Sequence, residues 1–416
     1  MSPSVLPAFS ATLCLFSATV AFAADWPNWR GPTFDGKAAA DAKPPTTWSD
    51  SKNIVWKTPI PGEGHATPVI VGNKIFVAKS DTRKETQSIL CYDRSTGEPL
   101  WSTIVNEGDF YAKIHRQNTH ASPTPSWDGE RLLIVFPNND GVQLAALSAD
   151  GKILWSKSVG DFNPFPRFGY GASPVLHGEN VIVVSDFKGG GFIAAFRRSD
   201  GREVWRTARP HSLNYTSPIV ANVAGKEQLL MSGQSRMDSY DPATGKLNWS
   251  VDGGAEVTCG TVVWSDDTVF ASGGYPSSET LAVKADGSGK ILWRNTDKCY
   301  EQSMLYHNGH IYAVTDQGDA ICWRATDGEE MWRERIGKGG ISASPILVGD
   351  IIHSTMENGE TTIYKATPES FQLVAKNQLG ESTFATPVIL GERIYIRGAT
   401  VRLGRRSEFL ACIGVK

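Results

Sequence analysis

Short apolar runs separated by polar turns recur along this chain as a repeating unit. Each unit opens on a Ser/Thr-Pro pair ahead of an apolar run. The clear copies are "ATPVIVGNKIFV" (Pro68), "ASPTPSWDGERLLIV" (Pro123), "ASPVLHGENVIVV" (Pro174), "TSPIVANVAGKEQLL" (Pro218), "ASPILVGDIIHS" (Pro345) and "ATPVILGERIYI" (Pro387). Two degenerate copies, with Thr261 and Met304 in the proline's place, bring the total to eight, at intervals of 55, 51, 44, 43, 43, 41 and 42 residues. Self-similarity at such a period is the mark of a repeat architecture.

Each unit resolves into four strands. A two-residue turn such as Gly72-Asn73 separates the first two runs, a third follows ("SILCYD", "FIAAFR", "DAICWR"), and a glycine turn leads into a fourth that carries tryptophan. That glycine and tryptophan keep a fixed spacing at Gly97/Trp101, Gly151/Trp155, Gly201/Trp205, Gly245/Trp249, Gly289/Trp293 and Gly328/Trp332. Proline cannot donate to a ladder, so it belongs at the start of an edge strand. Glycine supplies the positive φ of a tight turn, and tryptophan buries a large ring where sheets meet. Units apolar on both faces must stack, and radial stacking leaves only short edges. The expected fold is all-β: an eight-bladed β-propeller of four-stranded blades, residues 53–416.

The eighth unit lacks a fourth strand, whereas "NIVWKTPI" carries an orphan Trp56 twelve residues before Pro68. An N-terminal strand, residues 53–60, is therefore expected to complete the last blade. The seventh unit has "ATPESFQLVAK" where glycine and tryptophan belong, so its fourth strand is expected to be the least regular.

Composition agrees with this pattern. Glycine (41) and proline (23) against 6 Met suit turns better than long helices, and 40% hydrophobic residues suffice for a core. A formal charge of −3 offers no field for nucleic acid. At the N-terminus an apolar run ends in Ala21-Phe22-Ala23, so residues 1–23 read as a secretory signal, without a positive residue ahead of the run. No other segment is long and apolar enough to span a bilayer. Residues 24–52, with "DWPNWRGPTFDG" and the Ala/Pro-rich "KAAADAKPPTTW", read as an extension and linker, Trp26 and Trp29 covering part of the propeller.

The pattern Ala-x-Asp-x-x-Thr-Gly-x-x-x-Trp, fullest in "SYDPATGKLNW" and "CYDRSTGEPLW", resembles the PQQ-like propeller repeat. That repeat is shared by quinoprotein alcohol dehydrogenases and by BamB-like proteins, the propeller lipoproteins of outer-membrane barrel assembly. The resemblance covers the mature chain and implies that Trp56, Trp101, Trp155, Trp205, Trp249, Trp293 and Trp332 each dock on a neighbouring blade. It does not choose between those functions.

Two blade-to-blade connections are enlarged, "NEGDFYAKIHRQNTH" and "VGDFNPFPRFGYG". They gather Phe110, Tyr111, His115, Arg116 and His120, then Phe162, Phe165, Arg167, Phe168 and Tyr170, a mixture suited to recognition; the alternative is that they pack on each other and cap the channel. By strand parity the segment "VRLGRRSE", with Arg402, Arg405 and Arg406, lies on the same face. Three residues before each proline equivalent a side chain should approach the central channel: His65, His120, Gly171, Tyr215, Thr258, Glu301, Ser342 and Phe384. His65 and His120 would need a third ligand to hold a metal, so no metal site is expected. Of five cysteines outside the signal, Cys91, Cys322 and Cys412 read as core fillers at the position of Ala145 and Ala195. Cys259 and Cys299 are the one plausible disulfide.

Two functional classes remain. The first is an exported, non-catalytic, monomeric propeller, periplasmic or secreted, that binds a protein or cell-envelope component through its upper loop face and needs no cofactor. The second is a PQQ- and calcium-dependent dehydrogenase acting on an alcohol or sugar. The resemblance implies calcium held by carboxylate and amide oxygens, for which Glu301, Asn214 and Asp140 are available, and a pair of adjacent cysteines, which this chain lacks. A hydrolytic propeller would need paired channel carboxylates, and Glu301 is the lone acid in the expected ring.

Overall fold

A computed structural model describes residues 25–111, 114–139, 141–163, 168–211 and 213–415. The apolar run read as an export signal lies outside these residues, as do Asp140, Phe165 and Arg167. The described strands form eight four-stranded antiparallel sheets, the blades of an eight-bladed propeller. No helix among the described residues is long and apolar enough to cross a membrane. Seven sheets are made of consecutive strands; the eighth takes its outer strand from Ile54–Ile60, which pairs with Arg405–Ile413.

The tryptophan strands share one local device. Where the third strand meets the fourth, the ladder slips by one residue beside the indole, as between Ala195↔Trp205 and Phe196↔Glu203. The residue squeezed out is Leu100, Leu154 or Val204 in the first three blades, each nearly half exposed. Opposite the indole stands a small residue: Cys91, Ala146, Ala195, Ser239, Ala282, Cys322, and Cys412 opposite Trp56. In the second blade this place belongs to Ala146, not Ala145. The seventh blade departs from expectation, because its fourth strand, Leu373–Gln378, is regular and carries the same slip with Ala375 in the tryptophan's place. Phe371 packs edge-on against Trp332, at 5.6 Å between ring centroids.

Indoles cross the seams between blades. Trp56 donates its N–H to Arg94 O, Trp101 to Ala149 O, Trp155 to Arg198 O, Trp205 to Pro242 O, Trp293 to Ala325 O and Trp332 to Thr367 O, each in the next blade. Trp249 instead donates to Gln228 Oε1 of its own blade. The repeated glycine is the landing site. Gly201 has φ +68°, and a Cβ there would lie 2.7 Å from Trp155 Cζ3. Turn geometry and the approaching ring both exclude a side chain.

The segment read as a linker is instead packed against the face that carries the turns between first and second strands. Trp26 pairs with Ile70, Trp127 donates to Pro27 O, Arg30 Nη2 reaches Met304 O at 2.9 Å, Leu347 donates to Gly36 O, and Lys43 donates to Gly391 O. Blades one, two, six, seven and eight are thereby tied to one strap. Trp26 and Arg30 are fully buried beneath it. Trp48 donates its backbone N–H to Asn377 Oδ1 of the seventh blade's fourth strand, and its ring stacks on His353.

Candidate functional site

The innermost strands surround a cavity of about 410 Å³ on the propeller axis. It opens on the face of the blade-to-blade connections, and Trp29 of the strap lines it from the other end. The cavity forms a funnel lined by residues of all eight blades and by the strap.

Its wall corrects two positions of the expected ring. In the third blade Val175 pairs with Ile182, which pairs with Ala195 opposite Trp205. The same chain of partners in the second blade is Ser126, Leu133, Ala146 and Trp155, so Pro125, not Pro123, holds the proline's place. In the fifth it is Val263, Phe270, Ala282 and Trp293, so Val262 stands there, not Thr261. Ser122 and Cys259 accordingly replace His120 and Thr258. His65, Ser122, Gly171, Tyr215, Cys259, Glu301, Ser342 and Phe384 all line the cavity. His120 is buried away from it, stacked on Phe110 at 4.1 Å and tilted against Tyr111 at 4.8 Å, so it shares no ligand with His65. Doubled prolines in "ASPTPSW" misled the register, and a degenerate copy hid the other slip.

Two residues further along each blade lies a ring that the sequence reading missed. Thr67 N–H donates to Thr124 Oγ1, Thr124 N–H to Ser173 Oγ, and Ser173 N–H to Ser217 Oγ, at 2.8–3.0 Å. The relay continues from Thr261 to Ser303, Ser303 to Ser344 and Ser344 to Thr386 at 2.9–3.0 Å. The signal was the Ser/Thr of every Ser/Thr-Pro pair. Six of the eight hydroxyls, those of Thr124, Ser173, Ser217, Ser303, Ser344 and Thr386, catch a backbone N–H of the preceding blade, and Thr261 Oγ1 donates to Ser217 O.

At the mouth, His115, Gln117, Asn118 and Phe168 line the cavity, and Asn118 Nδ2 donates to Phe168 O at 2.8 Å, joining the two enlarged connections. Arg116 is exposed beside them. Tyr111 and Tyr170 are buried, and Tyr170 donates to Val184 O, so these two rings support the loops rather than face outward. Arg405 is exposed near the tip of the long eighth-blade hairpin. Arg406 turns inward over Phe384, at 5.6 Å from its ring centre, and pairs with Glu408.

The charged groups of the wall are perturbed. Burial raises the Glu301 carboxyl to about 7, against a hydrogen bond from Ser342 that favours its ionised form, and Glu357 and Asp316 nearby push it the same way as burial. Burial, then the Arg406 and Arg397 charges, hold the His65 imidazole well below its usual range. His65 stacks on Phe384 at 4.2 Å. Cys259 is free, as is Cys299, so the expected disulfide is absent. Burial pushes the Cys259 thiol well upward, which makes it a poor nucleophile.

These groups do not fit a calcium–quinone pair. Calcium takes six to eight oxygens. Glu301 faces the cavity, but Asn214 is buried behind the wall, donating to Ser232 O at 2.9 Å and to Asp186 Oδ2 at 3.4 Å beside the buried Arg209. Among the described residues no three His, Cys, Asp or Glu side chains gather as a metal site would require.

Comparison with known proteins places the fold beside both functional classes. The tetrathionate hydrolase of Acidithiobacillus ferrooxidans (strain ATCC 23270) is 20% identical over 336 residues, 73% of this chain, which spans 64% of that relative's length. Among solved structures, BamB from Moraxella catarrhalis matches with a TM-score of 0.60 at 15% identity, covering 86% of this chain and 96% of its own. A europium-containing methanol dehydrogenase matches with a TM-score of 0.69 at 10% identity, covering 94% and 98%. A quinohemoprotein alcohol dehydrogenase from Comamonas testosteroni gives 0.62 at 13%, covering 96% and 82%. At these identities the likeness is one of fold. The family model for outer membrane protein assembly factor BamB matches residues 85–334, more than half of the chain, and the chain belongs to that family.

Proposed function

We propose that this is an exported, non-catalytic binding propeller that holds a protein or cell-envelope component at the mouth of its funnel. The observation that carries the reading is the joining of the two enlarged connections at that mouth. They present His115, Gln117, Asn118 and Phe168 at the cavity lined by all eight blades. Exposed aromatic and polar groups on loops braced by a rigid scaffold are what recognition uses. Below them, among the described lining residues, Glu301 is the one carboxylate, and burial pushes the Cys259 thiol away from its nucleophilic form. The apolar run ending in Ala21-Phe22-Ala23 and membership of the BamB family support a location in the envelope.

The test is comparative capture from envelope extract. Wild type, His115→Ala/Phe168→Ala and Lys246→Ala, a change in an exposed turn between third and fourth strands, are compared by quantitative mass spectrometry. A partner retained by Lys246→Ala and lost by the mouth variant supports the reading. Identical partner sets for all three refute it. The dehydrogenase reading draws on fold likeness alone. Saturable PQQ binding in calcium with dye-linked alcohol oxidation would install it instead.

A further inference from the structure

We propose that the floor of the funnel is an anion-binding site for a carboxylate or small oxyanion group, formed by the hydroxyl ring with Arg30 behind it. This deepens the binding reading by naming what the funnel accepts, and it can fail separately.

The first observation is the hydrogen-bond state of the ring. Thr124, Ser173, Ser217, Ser344 and Thr386 line the cavity, and each hydroxyl oxygen already accepts a backbone N–H from the preceding blade. None of their O–H hydrogens has a protein acceptor among the described residues. A hydroxyl that accepts one N–H keeps its hydrogen to give and one further lone pair. Five such groups from five blades line the cavity, so five O–H donors are available there to an anion.

The second observation is independent. Arg30 is fully buried, yet its Nε and Nη1 have no partner. Nη2 bonds only carbonyl oxygens, those of Asp35 and Met304 at 2.9 Å each. Met304 follows Ser303 of the hydroxyl ring, and Arg30, which does not itself line the cavity, overlies the lining residue Trp29 at 5.4 Å from the ring centre. The nearest carboxylate, Asp35, is taken up by Lys37 at 2.9 Å. Burial lowers the Arg30 pKa to about 10 against the opposing pull of Asp35, which still leaves a cation at neutral pH. A buried cation without a paired carboxylate is costly, and an anion on the adjoining floor offsets that cost.

Glu301, higher on the same wall, sets a pH dependence. Ionised, it repels an incoming anion; protonated, it does not. Binding is therefore tighter below about pH 7, the value to which its carboxyl is raised.

Sulfate serves as the probe of a free oxyanion. A short peptide with a free C-terminal carboxylate and its C-terminal amide probe an attached one. Titration calorimetry on the mature chain at pH 6 and pH 8 should show saturable sulfate binding, stronger at pH 6 and weakened at least about tenfold by Arg30→Met. If that variant does not fold, Ser344→Ala/Thr386→Val should weaken binding in the same direction. Selenate diffused into crystals should give an anomalous peak within hydrogen-bonding distance of the ring. Preference for the free carboxylate over the amide assigns the site to a chain terminus, and sulfate binding alone assigns it to free oxyanions. Absence of saturable binding by every probe, or selenate located elsewhere, overturns the proposal whatever the capture experiment finds.

Discussion

Arg397 and Glu408 form a buried ion pair across the last hairpin, 2.7 Å from guanidinium to carboxylate; Arg406 also pairs with Glu408, and both members of the pair bond backbone at the start of the first blade. Glu408 Oε1 accepts from Gly64 N–H at 3.0 Å, and Arg397 Nη1 donates to Ala78 O at 2.7 Å and Ala66 O at 3.4 Å. The ring is thus closed twice, once by the Ile54–Ile60 strand and once by this pair. Removing Arg397 leaves Glu408 with Arg406 alone and loses the bonds to Ala66 and Ala78. Arg397→Met should cost about 2–4 kcal/mol, read as a fall in the urea midpoint. A loss below about 1 kcal/mol would mean that strand pairing alone closes the ring.

The repeated glycine obeys two constraints, and two of its copies separate them. Gly289 has φ +73° with nothing within 4 Å of a Cβ, whereas at Gly201 an added Cβ meets the Trp155 ring. Gly289→Ala should cost only the left-handed strain, about 1–2 kcal/mol. Gly201→Ala should cost about 2–5 kcal/mol, because ring displacement is added. Equal losses in thermal unfolding would remove the indole from the argument.

Blade number, strand count and closure were legible because they rest on periodicity, which survives the loss of single residues. Residues 53–60 could be assigned to the eighth blade because only an unpartnered tryptophan strand and a blade lacking one remained; the match of Trp56 to Cys412 came from the structure. Side-chain direction was less legible, because period-two alternation turns a slip of one residue into a change of face. That is how Thr258 was read in place of Cys259. The doubled proline displaced His120 by two residues, which keeps the parity but moves the side chain out of the ring. The strap was unreadable for another reason. Its grip on five blades is made largely by backbone groups, which composition does not reveal.

Acid and base should act on this fold through opposite groups. The Glu301 carboxyl titrates near 7 when folded against about 4.5 when unfolded, so between those values the native state holds the extra proton. Stability from this group therefore falls as pH rises through that window. Glu301→Gln should remove the fall, gaining about 1–3 kcal/mol at pH 8 once partial exposure is allowed for. His120 and His353, each held down to about 4 by burial, behave in reverse. Their unfolded forms take up protons first as pH drops below 6.5, so stability is lost between 6.5 and 4, about 2 kcal/mol per histidine at pH 5. His353→Phe should flatten the acid limb of the midpoint-versus-pH curve, and an unchanged limb would contradict the assignment.

The strap contains two tryptophans three residues apart with different duties. Trp26 is fully buried, paired through its backbone with Ile70 and packed in the cluster that joins the first and last blades. Trp29 is half-buried and turns its ring into the funnel. Trp26→Ala empties a packed site, which typically costs about 3–5 kcal/mol. Trp29→Ala gives up only partial burial, about 1–2 kcal/mol, while removing the floor of the cavity. The pair should therefore diverge in two measurements. Chemical unfolding should penalise Trp26→Ala far more. Trp29→Ala should widen the bottom of the funnel in a crystal structure and leave the blades in register. Equal destabilisation by both would show that the strap is held as one unit and that Trp29 belongs to its packing rather than to the cavity.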